Sequence, residues 1–303
     1  MPTERRTLPF HIVDVFAVEP LTGNPLAVVD GGADLPLDLC QRIAREFNQS
    51  ETTFVLPPTR SGADRRLRSF STAGIEVFGA GGHNSLGAWW WLAESGKLAL
   101  AEGGALFHQE IGDRVFPVTI VREGGQLASV VMDQAAPVAG RQVTDVAPLA
   151  AALGLTAADL AADRVPCQVI STGAAHLMVP IRSRDAVDRV QPDVKALFAI
   201  LRSVGGEGCY VFSLDPRQAG AVAYARFFNP TVGIAEDPAT GTAAGPLAVH
   251  LVAHGVAAPG RMTIEQGTAM GRTSIIQVEA IGNTVRIAGR GVIVASGQLM
   301  LAW

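Results

Sequence analysis

Two stretches of this chain, residues 84–94 and 245–254, have helical spacing yet are apolar on nearly every face. A surface helix keeps one polar side, so a helix that is apolar all round is buried on all sides. Each must be enclosed by other elements, and a chain with two such helices needs two enclosures. The material for them is present. Short runs rich in Val, Ile, Phe and Thr, bounded by Gly, Pro, Asp or Asn, recur at 11–18, 26–29, 52–56, 67–71, 115–121, 129–132, 168–170, 177–181, 210–214, 223–228, 262–265, 275–280, 285–288 and 291–294, and read as strands. Further helical patterns stand only at 36–46, 146–153, 185–190 and 193–202. Strands thus outnumber helices, which predicts an α+β fold in which each sheet wraps a central helix.

The two helices belong to an internal echo. Ser50-Glu51-Thr52-Thr53-Phe54-Val55-Leu56 resembles Gly208-Cys209-Tyr210-Val211-Phe212-Ser213-Leu214. Ala80-Gly81-Gly82-His83 leads into the first helix as Ala239-Thr240-Gly241-Thr242 leads into the second, and Thr22-Gly23-Asn24-Pro25 and Thr172-Gly173-Ala174-Ala175 each precede an apolar strand. Three matches in one order, offset by roughly 150–160 positions, predict two halves built on one plan, with a period far too long for a solenoid. The two glycine-rich loops are then expected to face a cleft between the domains.

Composition narrows the function classes. The chain has 303 residues, 48% hydrophobic and only 17% charged, with a net charge of −4. Its densest basic run, Arg65-Arg66-Leu67-Arg68, lies in a predicted strand, so nucleic acid is not an expected partner. No window of about 18 residues is apolar and uncharged, which predicts no membrane span. His11 and Asp14 cut the apolar stretch near the start, so no signal peptide is expected. Cys40, Cys167 and Cys209 are odd in number and far apart, and read as reduced, buried cysteines of a cytoplasmic protein, neither a disulfide framework nor a metal site. Trp89-Trp90-Trp91 points three indoles to different sides of a helix and reads as core or domain contact.

Three segments carry chemistry. Phe78-Gly79-Ala80-Gly81-Gly82-His83-Asn84-Ser85-Leu86-Gly87 is a glycine-rich turn opening a helix, whose first N–H groups lack internal partners and suit an anion. It has neither dinucleotide nor Walker spacing. His83 sits at its mouth, in reach of a bound carboxylate or a proton in transit, with Gly81, Gly82, Asn84 and Ser85 as candidate substrate-binding positions. In the second half Glu236-Asp237-Pro238-Ala239-Thr240-Gly241-Thr242 pairs two acids with a helix start, where Gly241 permits close approach and Thr242 offers a hydroxyl. Arg226, just upstream, is available to pair with those acids or to meet an acidic substrate. Glu51 opens a strand of otherwise neutral residues, where apolar neighbours tend to raise a carboxyl pKa and suit it to take and return a proton.

These segments resemble a known family. Val13-Asp14-Val15-Phe16 with Pro20-Leu21-Thr22-Gly23-Asn24-Pro25, Ala44-Arg45-Glu46-Phe47-Asn48-Gln49-Ser50-Glu51-Thr52-Thr53-Phe54-Val55, Glu236-Asp237-Pro238-Ala239-Thr240-Gly241-Thr242-Ala243-Ala244-Gly245-Pro246-Leu247, and Gln266-Gly267 with Met270-Gly271-Arg272 look like the phenazine-biosynthesis PhzF-like family, in order across almost the whole chain. The resemblance implies a diaminopimelate-epimerase-like fold of two pseudo-symmetric domains, each a β-sheet rolled around a central helix. Domains at 1–127, joined by a returning strand at 292–303, and at 128–291 are expected on that plan, with the active site in the cleft. It also implies a homodimer and proton-shifting isomerisation of a small carboxylate without cofactor or metal. The founding activity converts trans-2,3-dihydro-3-hydroxyanthranilate to its keto isomer by moving a proton along the ring. By the resemblance Glu51 is the base, and His83 and Asp237 hold the substrate and assist proton transfer. Thr242 stands where the family has serine, and the loop before His83 is longer by a glycine and lacks the family's proline. The same fold leaves two other readings, an epimerase or racemase of a small amino or hydroxy acid, or a non-catalytic binder. A two-thiol epimerase would need a cysteine in each glycine-rich loop, and here those spots hold His83 and Thr242.

Overall fold

A computed structural model describes residues 5–79 and 82–302. The chain divides into two compact units, Met1–Met132 with Ala288–Trp303, and Asp133–Ile287. The first contains β1 (Arg5–Val15), β2 (Asn24–Asp30), α1 (Leu37–Phe47), β3 (Glu51–Leu56), β4 (Arg65–Ser71), β5 (Glu76–Val77), α2 (His83–Glu94), β6 (Ala105–Ile111), β7 (Arg114–Glu123) and β8 (Gln126–Asp133). The second contains β9 (Val138–Val143), α3 (Ala147–Ala152), β10 (Cys167–Ser171), β11 (Ala175–Pro180), α4 (Arg184–Asp188), α5 (Val194–Val204), β12 (Gly208–Ser213), β13 (Ala223–Asn229), β14 (Ile234–Asp237), α6 (Gly241–Ala253), β15 (Gly260–Gln266), β16 (Ser274–Ile281) and β17 (Thr284–Gly289). The last strand, β18 (Gly291–Ala302), returns to the first unit and pairs antiparallel with β1 from Arg5↔Ala302 to Val15↔Gly291.

The echo extends to strand pairing. In the first unit β2 is antiparallel to β1 and parallel to β3 across α1; β3 and β4 are antiparallel, β4 runs parallel to β6 across α2, and β6 and β7 are antiparallel. The second unit repeats that order: β10–β11 antiparallel, β11–β12 parallel across α4 and α5, β12–β13 antiparallel, β13–β15 parallel across α6, β15–β16 antiparallel. The short strands β5 and β14 lie antiparallel beside β4 and β13. A parallel pair needs a long crossover, and a helix fills each of these.

The two apolar helices fill these sheets. In α2, Asn84 through Leu92 are all buried, nine of its twelve residues, and the helix packs on β1, β2, β3, β7 and β18. Gly87 lets it sit close: a Cβ there would fall 2.6 Å from Val15 Cγ2 and 2.7 Å from Leu26 Cδ2. Leu26 thus faces α2, while Val29, of opposite parity on the same strand, packs with Cys40, Ile43 and Ala44 of α1. The second unit has a similar outer layer, where α3, α4 and α5 supply Leu149, Val187, Leu197 and Leu201 to a cluster with Cys167, Val179 and Cys209. The three tryptophans of α2 are core. Trp89 Nε1 donates to Gln109 Oε1 at 3.0 Å, Trp90 Nε1 to Glu94 Oε2 at 2.7 Å, and Trp91 packs against the His11 ring at 5.2 Å between centroids.

Two expectations are corrected. The helix expected at 245 begins a turn earlier, at Gly241, and runs through Pro246. A tertiary contact holds that extra turn: Gln134 Nε2 donates to the Gly241 carbonyl at 2.9 Å. The strands β6 and β9 escape the apolar pattern. In β6, Gln109 and Glu110 are buried but satisfied, Glu110 accepting from the Thr59 and Arg60 N–H groups at 2.6 and 2.9 Å, while β9 is almost wholly exposed. Among the described residues no helix is long and apolar enough to cross a membrane.

Candidate active site

In the first unit Glu51 is the first residue of β3, in parallel register with Leu26 and antiparallel register with Ser71. His83 is the first residue of α2 and Gly82 is its N-cap; Gly81 lies outside the described residues. These two starts bring His83 Nδ1 to 3.9 Å from Glu51 Oε2, with both side chains largely buried. Burial pushes the His83 imidazole down to about 4, so at neutral pH an uncharged ring meets the carboxyl group. His83 Nε2 is buried with no hydrogen-bond partner among the described residues. An unsatisfied buried nitrogen is unfavourable in a resting protein and is what a substrate polar group would satisfy.

Behind this pair the candidate residues are more structural. Asn84 is buried, and its Nδ2 donates to Ser69 Oγ at 3.1 Å, which in turn meets Thr53 Oγ1 at 2.8 Å. That chain ties the first turn of α2 to β3 and β4 and so fixes His83 relative to Glu51. Ser85 is fully buried, with no partner for its hydroxyl among the described residues.

In the second unit Asp237 ends β14, and Gly241 and Thr242 open α6. Thr240 Oγ1 donates to Asp237 Oδ2 at 2.6 Å. Glu236, the other acid of the pair, is held by Arg226 through two bonds, Nε to Oε1 at 2.8 Å and Nη2 to Oε2 at 2.9 Å. The same guanidinium donates to the carbonyls of Val187, Asp188 and Val190, so Arg226 is an internal clamp. Thr242 Oγ1 lies 3.3 Å from Nε2 of His176, a buried residue of β11 whose ring burial also pushes down to about 4. That ring stands edge-on to Phe227 at 4.9 Å between centroids, its Nδ1 without a partner among the described residues.

Sequence reasoning passed over His176, Ser69, Thr240, Gln266 and Tyr210 as site residues. A signal for His176 existed, since it directly follows the echoed Thr172-Gly173-Ala174-Ala175, but a single histidine in an apolar strand is common. Thr240 and Gln266 lie inside the quoted motifs, yet which side chains they meet depends on how β14 and β15 are brought together.

Thiol chemistry finds little footing. Cys167 and Cys209 are fully buried; burial pushes the Cys167 thiol up to about 12 and Cys209 higher still. Among the described residues no three His, Cys, Asp or Glu side chains are grouped to hold a metal ion.

Comparison with known proteins identifies the family. The family model described as "Phenazine biosynthesis-like protein" matches residues 13–297. A trans-2,3-dihydro-3-hydroxyanthranilate isomerase of Pseudomonas fluorescens is 35% identical over 96% of this chain and 99% of its own length. The crystal structure of a Bacillus anthracis phenazine biosynthesis protein of the PhzF family superposes with a TM-score of 0.86 at 26% identity, covering 98% of this chain and 100% of the other. A hydroxyproline epimerase from Agrobacterium vitis shares the fold, with a TM-score of 0.65 at 16% identity over 100% of this chain and 93% of the other, which places the architecture in the diaminopimelate-epimerase-like class. With the family model and full-length relatives in agreement, the chain belongs to the phenazine biosynthesis-like PhzF family and is an isomerase.

Proposed function

We propose that this isomerase moves a proton by acid/base catalysis, without cofactor or metal, on a small cyclic or unsaturated carboxylate, with trans-2,3-dihydro-3-hydroxyanthranilate as the first candidate substrate. The observation that carries the reading is the approach of Glu51 to an uncharged His83 at 3.9 Å in a buried setting. Glu51 takes a proton from a substrate carbon and returns it to another, while neutral His83, able to donate or accept, steadies the polar group where charge develops. By the family resemblance Asp237 and Thr242 help to hold the substrate, whose carboxylate suits the unpaired N–H groups of a helix start. The relative of Pseudomonas fluorescens named for that substrate supports this choice. On the same resemblance the protein works as a homodimer, and its three free cysteines favour the cytoplasm; sedimentation of the purified protein and fractionation of its source cells would check each.

A two-thiol epimerase is disfavoured because Cys167 and Cys209 are sealed in the core. Deuterium incorporation in heavy water separates isomerase from binder. With trans-2,3-dihydro-3-hydroxyanthranilate and related small amino- and hydroxy-carboxylates, solvent deuterium enters the carbon skeleton in the parent and not in Glu51→Gln. Binding without exchange in the parent would favour the non-catalytic reading, and undiminished exchange by Glu51→Gln would remove Glu51 as the base.

A further inference from the structure

Gln266 closes β15, fully buried, opposite Ser274 on β16 and in parallel register with Ala225 on β13. Its amide makes four hydrogen bonds. Tyr210 Oη donates to Oε1 at 2.8 Å and the Thr240 N–H donates to Oε1 at 3.0 Å; Nε2 donates to the Asp237 carbonyl at 2.8 Å and to Thr240 Oγ1 at 3.0 Å. Chemistry fixes the orientation of this amide. A peptide N–H can only donate and a peptide carbonyl can only accept, and each end of the amide meets one of them. Burial, with the nearby Asp237 charge adding to it, raises the Tyr210 phenol, so its O–H also stays a donor.

The consequence falls on Thr240. Both lone pairs of Oε1 and both Nε2 protons are committed, so Thr240 Oγ1 accepts from Gln266 and turns its own proton elsewhere. That proton goes to Asp237 Oδ2 at 2.6 Å, a length typical of a hydroxyl bonded to a carboxylate. The intervening loop is clamped as well. Ser274 Oγ donates to the Pro238 carbonyl at 2.8 Å, and a Cβ at Gly267 would fall 2.5 Å from that same oxygen. A loop held only for stability would be served by these backbone bonds, yet the Thr240 hydroxyl reaches one particular side chain, that of Asp237.

We propose that Thr240 and Gln266 are positioning residues for Asp237: the saturated amide sets the direction of the Thr240 proton, and that proton holds the Asp237 carboxylate in one orientation as a hydrogen-bond acceptor for the substrate. This rests on the reading that Asp237 serves the substrate. Neither positioning residue touches the reacting atoms.

The test uses full-length protein labelled with carbon-13 at aspartate carboxyls, the Asp237 resonance being assigned by its loss in Asp237→Asn. Thr240→Val keeps the shape and removes the proton, Thr240→Ser keeps the proton, and Gln266→Met removes the amide. The Asp237 resonance is expected to move in Thr240→Val and Gln266→Met, to stay near the parental position in Thr240→Ser, and to move no further in the double variant than in Thr240→Val. An Asp237 signal unmoved by Thr240→Val, or moved by independent amounts that add in the double variant, overturns the proposal whatever the substrate proves to be. Should Gln266→Met fail to fold, the Thr240 pair decides alone. In the exchange assay with trans-2,3-dihydro-3-hydroxyanthranilate, Thr240→Val lowers kcat/KM by roughly tenfold or more, and Thr240→Ser restores it. Parental turnover by Asp237→Asn would instead remove the assignment of Asp237 to the substrate, a separate failure that leaves the carboxyl resonance result standing.

Discussion

His83 Nδ1 stands 3.9 Å from Glu51 Oε2, across the gap between the first residue of α2 and the first residue of β3. Neither end is free to drift. Glu51 is set by pairing of β3 on both sides, and His83 by the bond from its neighbour Asn84 to Ser69 on β4. The pair is thus built on a rigid part of the sheet, as acid/base work requires.

Replacing Glu51 by Gln retains the shape but not the ability to carry a proton. We expect kcat to fall by roughly 100-fold or more while the thermal midpoint changes little. Initial rates and a melting curve on the same preparation check both halves of that statement. Loss of folding together with activity would show a structural role for Glu51.

Stability will depend on pH through three buried imidazoles. His83, His176 and His250 are each pushed from 6.5 down to about 4, chiefly by burial. The unfolded chain therefore binds protons at these sites below about pH 6.5 while the native chain does not until about pH 4, so stability falls as pH drops through that window. Each group contributes a slope of up to about 1.4 kcal/mol per pH unit. Urea unfolding between pH 7 and 5 measures it, and His176→Phe should reduce the slope by about one proton. A flat profile would mean these rings are charged in the native state.

Gly208 lies against a crowded pair. A Cβ there would fall 2.4 Å from Phe227 Cζ and 3.1 Å from His176 Nδ1. Gly208→Ala should destabilise by about 1–3 kcal/mol, and should also displace His176 from Thr242. A shift in the urea midpoint reads the first effect and a raised KM the second.

The cysteines should be silent. With Cys167 and Cys209 fully buried and their thiols raised, brief treatment of native protein with a small alkylating reagent should leave both unmodified and activity intact. Mass spectrometry with a parallel assay checks it, and inactivation tracking modification of Cys209 would reopen thiol catalysis.

Much of the architecture was legible because its signals are local. All-round apolarity at 84–94 marks a helix that must be enclosed, and the echoed Thr-Gly turns and glycine-rich loops mark equivalent points of two βαβ plans. Polar strands such as β6 were not legible, because the bonds that let Gln109 and Glu110 be buried come from Trp89, Thr59 and Arg60, far away in sequence.

The site divides in the same way. Residue types and motif order, read with the family resemblance, single out Glu51, His83, Asp237 and Thr242, since the motifs that carry them are visible without coordinates. Only the tertiary structure decides what each does at rest. It gives Glu236 to Arg226, Asp237 to Thr240 and Thr242 to His176, and it leaves His83 uncharged beside Glu51. The physical reason is that hydrogen-bond direction and pKa depend on partners and burial supplied by segments distant in the chain, which a linear pattern does not contain.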